Sequence, residues 1–214
     1  MLDPILEKFK KEFSFKELED NEYRSFKVSG MKFEVTGYEV EGIGRASLMN
    51  ASGMAGLMKM STLMINPFDV DAPLYSVDII KAMGNNMLIV EMYDTCLEQR
   101  PDEPPFKAIG EKYAHLADMP KEERWYDSIR YASSIAKKVG SKESKELDDI
   151  TEAFSNAYLE LLRSAVPCDR AAKLEKARAY SHGLIEHGGT AADNFLKNWG
   201  KEKTQDFFDK VLFG

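Results

Sequence analysis

The chain has 214 residues and a formal net charge of −7. That is enough length for one sizeable core, and the wrong sign for a nucleic-acid surface, where basic residues dominate. Hydrophobic residues at 43% and charged residues at 30% match a folded water-soluble domain, and no run approaches the roughly 18 apolar residues of a membrane span. Cys96 and Cys168 lie far apart and without metal-ligand spacing, so a reduced, cytoplasmic setting is expected.

Asp3 and Pro4 ahead of Ile5, Leu6, Phe9 and Phe13 predict a capped amphipathic helix rather than a secretory leader. A second, short helix is read over residues 15–18. From Tyr23 the apolar residues alternate, at Phe26 and Val28, then Phe33 and Val35, then Tyr38 and Val40. Ser29-Gly30 between the first two pairs marks a hairpin. Residues 42–56 hold Gly42, Gly44, Gly53 and Gly56, but no GxGxxG and no GK[ST]. They read as strand turns and a bulge rather than as a phosphate cradle.

Residues 57–95 carry three apolar runs, LMKMSTLMI, LYSVDIIKAM and NMLIVEMY, separated by Asn66-Pro67, Asp71-Ala72-Pro73 and Gly84-Asn85-Asn86. Short apolar runs between such breakers are buried strands, completing a sheet of roughly six. Met49, Met54, Met58, Met60, Met64, Met83, Met87 and Met92 cluster here, either as core filler or as the lining of a large flat ligand site.

Beyond this the character changes. Residues 100–105 form a loop, and FKAIGEKYAHLADM is a helix ending before Pro120. ERWYDSIRYASSIAKKVG fits a strand or a helix equally. After Gly140 a long helix follows, with Leu147, Ile150, Phe154, Tyr158, Leu161 and Leu162 as its stripe. Asp169 caps another, running to about residue 186, which His187-Gly188-Gly189-Thr190 stops, and two short helices close the chain. Helix, then strands, then helices predicts an α+β fold, with residues 1–214 as one domain. Its architecture is a three-layer α/β/α sandwich around a central, mainly antiparallel sheet.

No HExxH, CxxC, GxSxG or dinucleotide fingerprint occurs. His182 and His187 are five apart, about 140° around a helix, which argues against a metal pair. Acids remain. Asp78 sits in mid-strand among Tyr75, Val77, Ile79 and Ile80, sharing a face with Ser76, Ile80 and Ala82. A carboxylate there is hydrogen-bonded, protonated or used, because burial raises its pKa. Glu91, among Leu88, Ile89, Val90 and Met92, has a similar setting, and Glu186, His187 and Asp193 flank the Gly-Gly turn. The lysine clusters at 8–16, 137–145 and 197–203 read as solvated faces.

Taken together, MSTLMINPFDVDAPLYSVDIIKAMGNNMLIVEMYD, the long helix DDITEAFSNAYLELLRSA and the ending FLKNWGKEKTQDFFDKVLFG resemble the ferredoxin-dependent bilin reductases and their relative, red chlorophyll catabolite reductase. The likeness runs over roughly residues 23–213. It implies ferredoxin-dependent reduction of C=C bonds in a linear tetrapyrrole, by single-electron steps with protons from buried acids. No flavin or metal is bound, since the pigment is the redox-active group. Asp78 falls on the family's catalytic acid and Glu91 on its later strand acid. Two positions depart from the pattern. Ser61 and Thr62 stand where vinyl-reducing members carry a histidine, and Gly188-Gly189 where many carry an aspartate, for which Asp193 or His187 would substitute. The first departure brings the chain nearer the chlorophyll-catabolite branch. Met60, Thr62 and Met64 would line the pigment, with Arg130, Lys137 or Lys138 for its propionates. Acidic ferredoxin would dock at Lys197, Lys201 and Lys203. The alternative implied by the departures is a protein of this fold that binds a tetrapyrrole or haem without reducing it.

Overall fold

The computed structural model describes residues 1–19, 21–98 and 103–214. Alternating apolar residues between turn pairs produce eight strands. They are β1 (Phe15–Glu17), β2 (Ser25–Val28), β3 (Met31–Val40), β4 (Gly44–Gly53), β5 (Met58–Pro67), β6 (Leu74–Ala82), β7 (Asn85–Tyr93) and β8 (Ile135–Val139). All pair antiparallel in one sheet, ordered β1-β3-β4-β5-β6-β7-β8, with β2 sharing the outer side of β3 with β1. The three runs of residues 57–95 are β5, β6 and β7 at its centre. Ser29 and Gly30, with φ of 50° and 77°, make the tight hairpin turn that matches strand twist.

The helices are α1 (Asp3–Glu12), α2 (Pro104–Lys112), α3 (Ser144–Ser164), α4 (Arg170–Glu186), α5 (Thr190–Trp199) and α6 (Lys201–Phe207), the last passing into a π turn, Phe208–Leu212. Because side chains alternate across a strand, the sheet feeds two cores. On one face Tyr75, Val77, Ile79, Leu88 and Val90 pack with Phe9 of α1 and Ile150, Phe154 and Tyr158 of α3. On the other, Val35, Met49, Leu74 and Tyr93 pack with Tyr180, Phe195, Phe207 and Val211 from the C-terminal helices. The layers are helix, sheet, helix, as the element order predicts. Among the described residues no helix is long and apolar enough to cross a membrane.

Several expectations are corrected. Residues 15–18 are not helical: Phe15, Lys16 and Glu17 pair with Val40, Glu39 and Tyr38, so backbone pairing with an existing strand wins over a weak local preference. Among the described residues the sheet has eight strands rather than six: β1 and β8 are short edge strands, and residues 42–56, read as turns and a bulge, hold the ten-residue strand β4, paired along its length with β3 and β5. Asp3 lies inside the first turn of α1 and binds the terminal ammonium instead of capping; Leu2 occupies the cap position. The helix predicted up to Pro120 stops at Lys112, and residues 117–119 turn along β8, where Lys138 N donates to Ala117 O at 3.0 Å and Met119 N to Ala136 O at 2.9 Å. The ambiguous segment is a 3-10 turn at Trp125–Ser128 followed by β8. Of the loop read over 100–105, residues 100–102 lie outside those described, and Pro104 and Pro105 instead open α2, where a missing N–H costs nothing.

Lys173 of α4 is fully buried and ties that helix to the sheet. Its ammonium donates to the carbonyls of Ala72 at 2.6 Å and Thr95 at 2.7 Å and lies 3.7 Å from the Asp71 carboxylate.

Candidate active site

The register sorts the predicted residues by face. Thr62 lies opposite Asp78, which lies opposite Ile89, and Ser76 lies opposite Glu91. Asp78 and Glu91 are therefore diagonal neighbours on the face toward α4–α6, together with Met60, Met64, Ile80 and Met87. The two faces differ sharply in cover. Val77, Ile79, Leu88 and Val90 are fully buried, whereas Met60, Met64, Asp78, Ile80, Met87, Ile89 and Glu91 are half-buried. The C-terminal helices pack over β2, β3 and β4, and Tyr180 of α4 covers Tyr93 at the Leu74 end. Between them the middle strands keep a thinly covered window, floored by methionines and lying toward the β4–β5 and β6–β7 hairpins.

Asp78 lies in this window. Thr62 Oγ1 donates to Asp78 Oδ1, a hydrogen bond that follows from their direct pairing across β5 and β6. The residue keeps some accessible surface, yet protein atoms crowd its carboxyl closely, and the crowding governs its charge. Burial pushes its pKa up to about 6, against the hydrogen bond from Thr62, with the nearby Glu91 carboxylate adding to the rise.

Glu91 is held differently. Its Oε1 accepts from Arg130 Nη1 at 2.9 Å and its Oε2 from the Tyr93 hydroxyl at 2.5 Å. Arg130 also binds Asp127 at 2.7 Å. The Arg130 charge is thus met by two carboxylates. Behind Glu91 an aromatic wall closes the window: Tyr93 packs on Tyr180 with centroids 4.3 Å apart and on Tyr126 at 5.6 Å, and Trp125 lies against Tyr126 and Tyr180. Burial drives the hydroxyls of Tyr93 and Tyr180 well above the usual tyrosine range. This wall was not foreseen. Tyr93, two residues from Glu91 on the same strand face, was its one local sign.

The remaining predicted residues divide. Met60, Thr62 and Met64 join Asp78, but Ser61 points to the opposite face, where its hydroxyl bonds Asn50 at 2.7 Å. Of the two residues standing at the family's histidine position, Thr62 alone meets the acid. Lys137 does not join the group: it pairs with Leu88 on the opposite face, is buried, and is taken by Asp118 at 2.7 Å and the Leu116 carbonyl at 3.0 Å. Lys138, opposite Met87, is exposed on the window's side. Asp193 is exposed and accepts from Gly189 N at 3.2 Å, bracing the turn before α5, while His187 is exposed and packs on Trp125 at 5.5 Å. No hydrogen bond or ion pair among the described residues joins either to Asp78 or Glu91. Lys197, Lys201 and Lys203 are exposed on α5 and α6, with Lys203 over the Trp199 ring. A cavity of about 510 Å³ lies among Lys16, Tyr23, Arg45 and Lys210, and shares no residue with the window. No group of three or more metal-ligating side chains occurs among the described residues.

No family model and no curated protein matches the sequence. Among solved structures, the chain is similar to phytochromobilin synthase from tomato, determined with biliverdin. The TM-score is 0.78 at 13% identity, over 96% of this chain and 79% of that one. At this identity the likeness is one of fold, and it extends along nearly the whole length of this chain.

Proposed function

We infer that the protein reduces a C=C bond of a linear tetrapyrrole, with Asp78 as proton donor. The observation that carries this reading is Asp78 itself, a carboxyl with a pKa of about 6 on a half-buried, methionine-floored stretch of an otherwise buried sheet. With that pKa about one carboxyl in ten is protonated at pH 7. A flat pigment laid over the window would strip its remaining water and raise that fraction. The shared fold with a synthase solved around biliverdin supports the choice of pigment.

Saturating one C=C bond consumes two electrons and two protons and forms two C–H bonds. The electrons would arrive singly from reduced ferredoxin, which is oxidised; the pigment itself would hold the unpaired electron, without a resident flavin or metal. Asp78 would deliver one proton, and Thr62, donating to its Oδ1, would hold the carboxyl in place. Met60, Met64 and Met87 would bed the conjugated plane. Lys138 suits a propionate better than Arg130, whose charge Glu91 and Asp127 already meet. Lys197, Lys201 and Lys203 remain the proposed ferredoxin contact.

A second reading, binding without turnover, draws on one observation. Of the acids proposed as the second donor, Glu91 is tied to Arg130 and Tyr93, and Asp193 braces a turn. One experiment separates the two. Biliverdin or a chlorophyll-derived linear tetrapyrrole is added to the protein with reduced ferredoxin under anaerobic conditions, and spectra are recorded. Loss of the pigment band with a new product supports reduction; a binding shift without bleaching supports the carrier; no spectral change with either pigment sinks both. In the reductase, Asp78→Asn retains the binding shift and loses turnover.

A further inference from the structure

The end of the sheet toward which the window lies has an unusual surface. Met54, Leu57 and Met83 are 54%, 66% and 72% exposed at the tips of the β4–β5 and β6–β7 hairpins. The two tips touch, Met83 N donating to Leu57 O at 3.4 Å. Met54, Ala55 and Met83 hold φ of 50°, 53° and 48°, a left-handed conformation normally left to Gly or Asn. Met83, like Ser29, takes it as the first residue of a two-residue hairpin turn, so exposed apolar side chains stand at these tips where Asn or Asp is usual, and nothing among the described residues covers them.

One step behind the tips runs a row of cations. Lys27 pairs with Lys32, Lys32 with Ser52, Ser52 with Lys59, and Lys59 with Lys81. All four lysines are exposed on the same face. Lys27–Lys32 and Lys59–Lys81 are like charges directly opposite each other, an arrangement that destabilises a sheet. Lys32 has Glu34 at 2.7 Å; Lys27, Lys59 and Lys81 have no ion pair among the described residues. The row crosses five strands, roughly 19 Å, and stands two residues, roughly 7 Å, back from Leu57 and Met83.

We propose that this hairpin end docks on an anionic lipid surface, the apolar tips entering the headgroup–acyl boundary and the lysine row meeting the phosphates. The depth fits. Interfacial side chains sink about 5–10 Å, and lysines set roughly 7 Å back reach headgroups by extending their stems. The lysine row, rather than the apolar tips, favours lipid over protein, because protein interfaces are poor in Lys. The overall charge of −7 does not oppose it, since charges farther than about 10 Å from the surface are screened at physiological salt. The proposal concerns association with a surface, and does not depend on the pigment reading.

The test is flotation of the full chain with vesicles of phosphatidylcholine alone, or of equal parts phosphatidylcholine and phosphatidylglycerol. Binding is expected to the mixed vesicles only and to fall with added salt. Each lysine contributes about fivefold to partitioning, so Lys59→Glu/Lys81→Glu weakens it by about 25-fold or more. Lys59→Glu alone separates docking from folding: opposite Lys81 it turns a repulsive pair into an attractive one, so Tm rises slightly while vesicle binding drops. Leu57→Trp gives an emission blue shift on adding mixed vesicles, and Leu57→Ser/Met83→Ser weakens binding. Absence of flotation, equal binding by Lys59→Glu/Lys81→Glu, or capture of an acidic protein here without vesicle binding would each overturn the proposal.

Discussion

Asp78 has a cost that can be measured without knowing any substrate. Its folded pKa of about 6 lies above the unfolded value of 3.8. Between those values the folded state holds the proton more tightly, so stability falls as pH rises through the interval and stays low above it. Asp78→Asn removes that penalty. The variant should gain up to about 3 kcal/mol at pH 8 and only about 0.5 kcal/mol at pH 4, read from urea unfolding at both pH values. Equal gains at the two would mean that the carboxyl is not perturbed. Replacing Glu91 has the opposite effect on stability, because it takes a partner from Arg130. Glu91→Gln leaves Arg130 short of one carboxylate and should cost about 1–2 kcal/mol, after allowance for the partial exposure of both groups. A double-mutant cycle with Arg130→Met should return less than the sum of the single losses. Asp78 was legible because a mid-strand acid announces itself through its immediate neighbours. The Glu91–Arg130 pair was not, since 39 positions separate its members and a lone arginine carries no sign of its partner. Buried Lys173 was hidden for the same reason: its acceptors come from two distant loops.

At the scale of elements, α4 shows how a helix is cut to fit its site. Gly183 lies inside it, where Ala would favour the helix by about 1 kcal/mol. A Cβ there would stand 2.3 Å from the Trp125 ring. That ring cannot give way easily, because it packs against Tyr126, Tyr180 and His187 and its Nε1 donates to Gly188 O at 2.9 Å. Gly183→Ala should therefore destabilise by about 1–3 kcal/mol despite the better helix former, and should alter near-UV circular dichroism from the displaced tryptophan. Elements with their own periodicity were readable: the stripe of α3, the Asp169 cap of α4 and the breakers around β5, β6 and β7. β1 and β8 were not. Three and five residues respectively are too short to show a period, and each exists because a neighbouring strand offers its backbone.

For the whole molecule, the order of elements was enough to predict the layers, because an antiparallel sheet with apolar residues on both faces requires cover on both. How far the cover extends could not be read, since it depends on where α4–α6 stop, and that leaves the window. The sheet also couples its two cores, as successive residues of β6 belong to opposite ones. Phe154→Ala, in α3, should cost about 3–5 kcal/mol and shift the unfolding of Trp199, in the other core, by the same amount as the backbone signal. Separate midpoints in tryptophan fluorescence and far-UV circular dichroism would show independent halves. The margins of the sheet have a consequence of their own. Residues 117–119 lie along β8, and the far side of β3 is divided between strands of three and four residues. Neither flank offers a long bare backbone to a second chain, so strand addition and fibril growth are disfavoured from both sides. A protein that leaves part of an apolar sheet face thinly covered can then remain dispersed at high concentration.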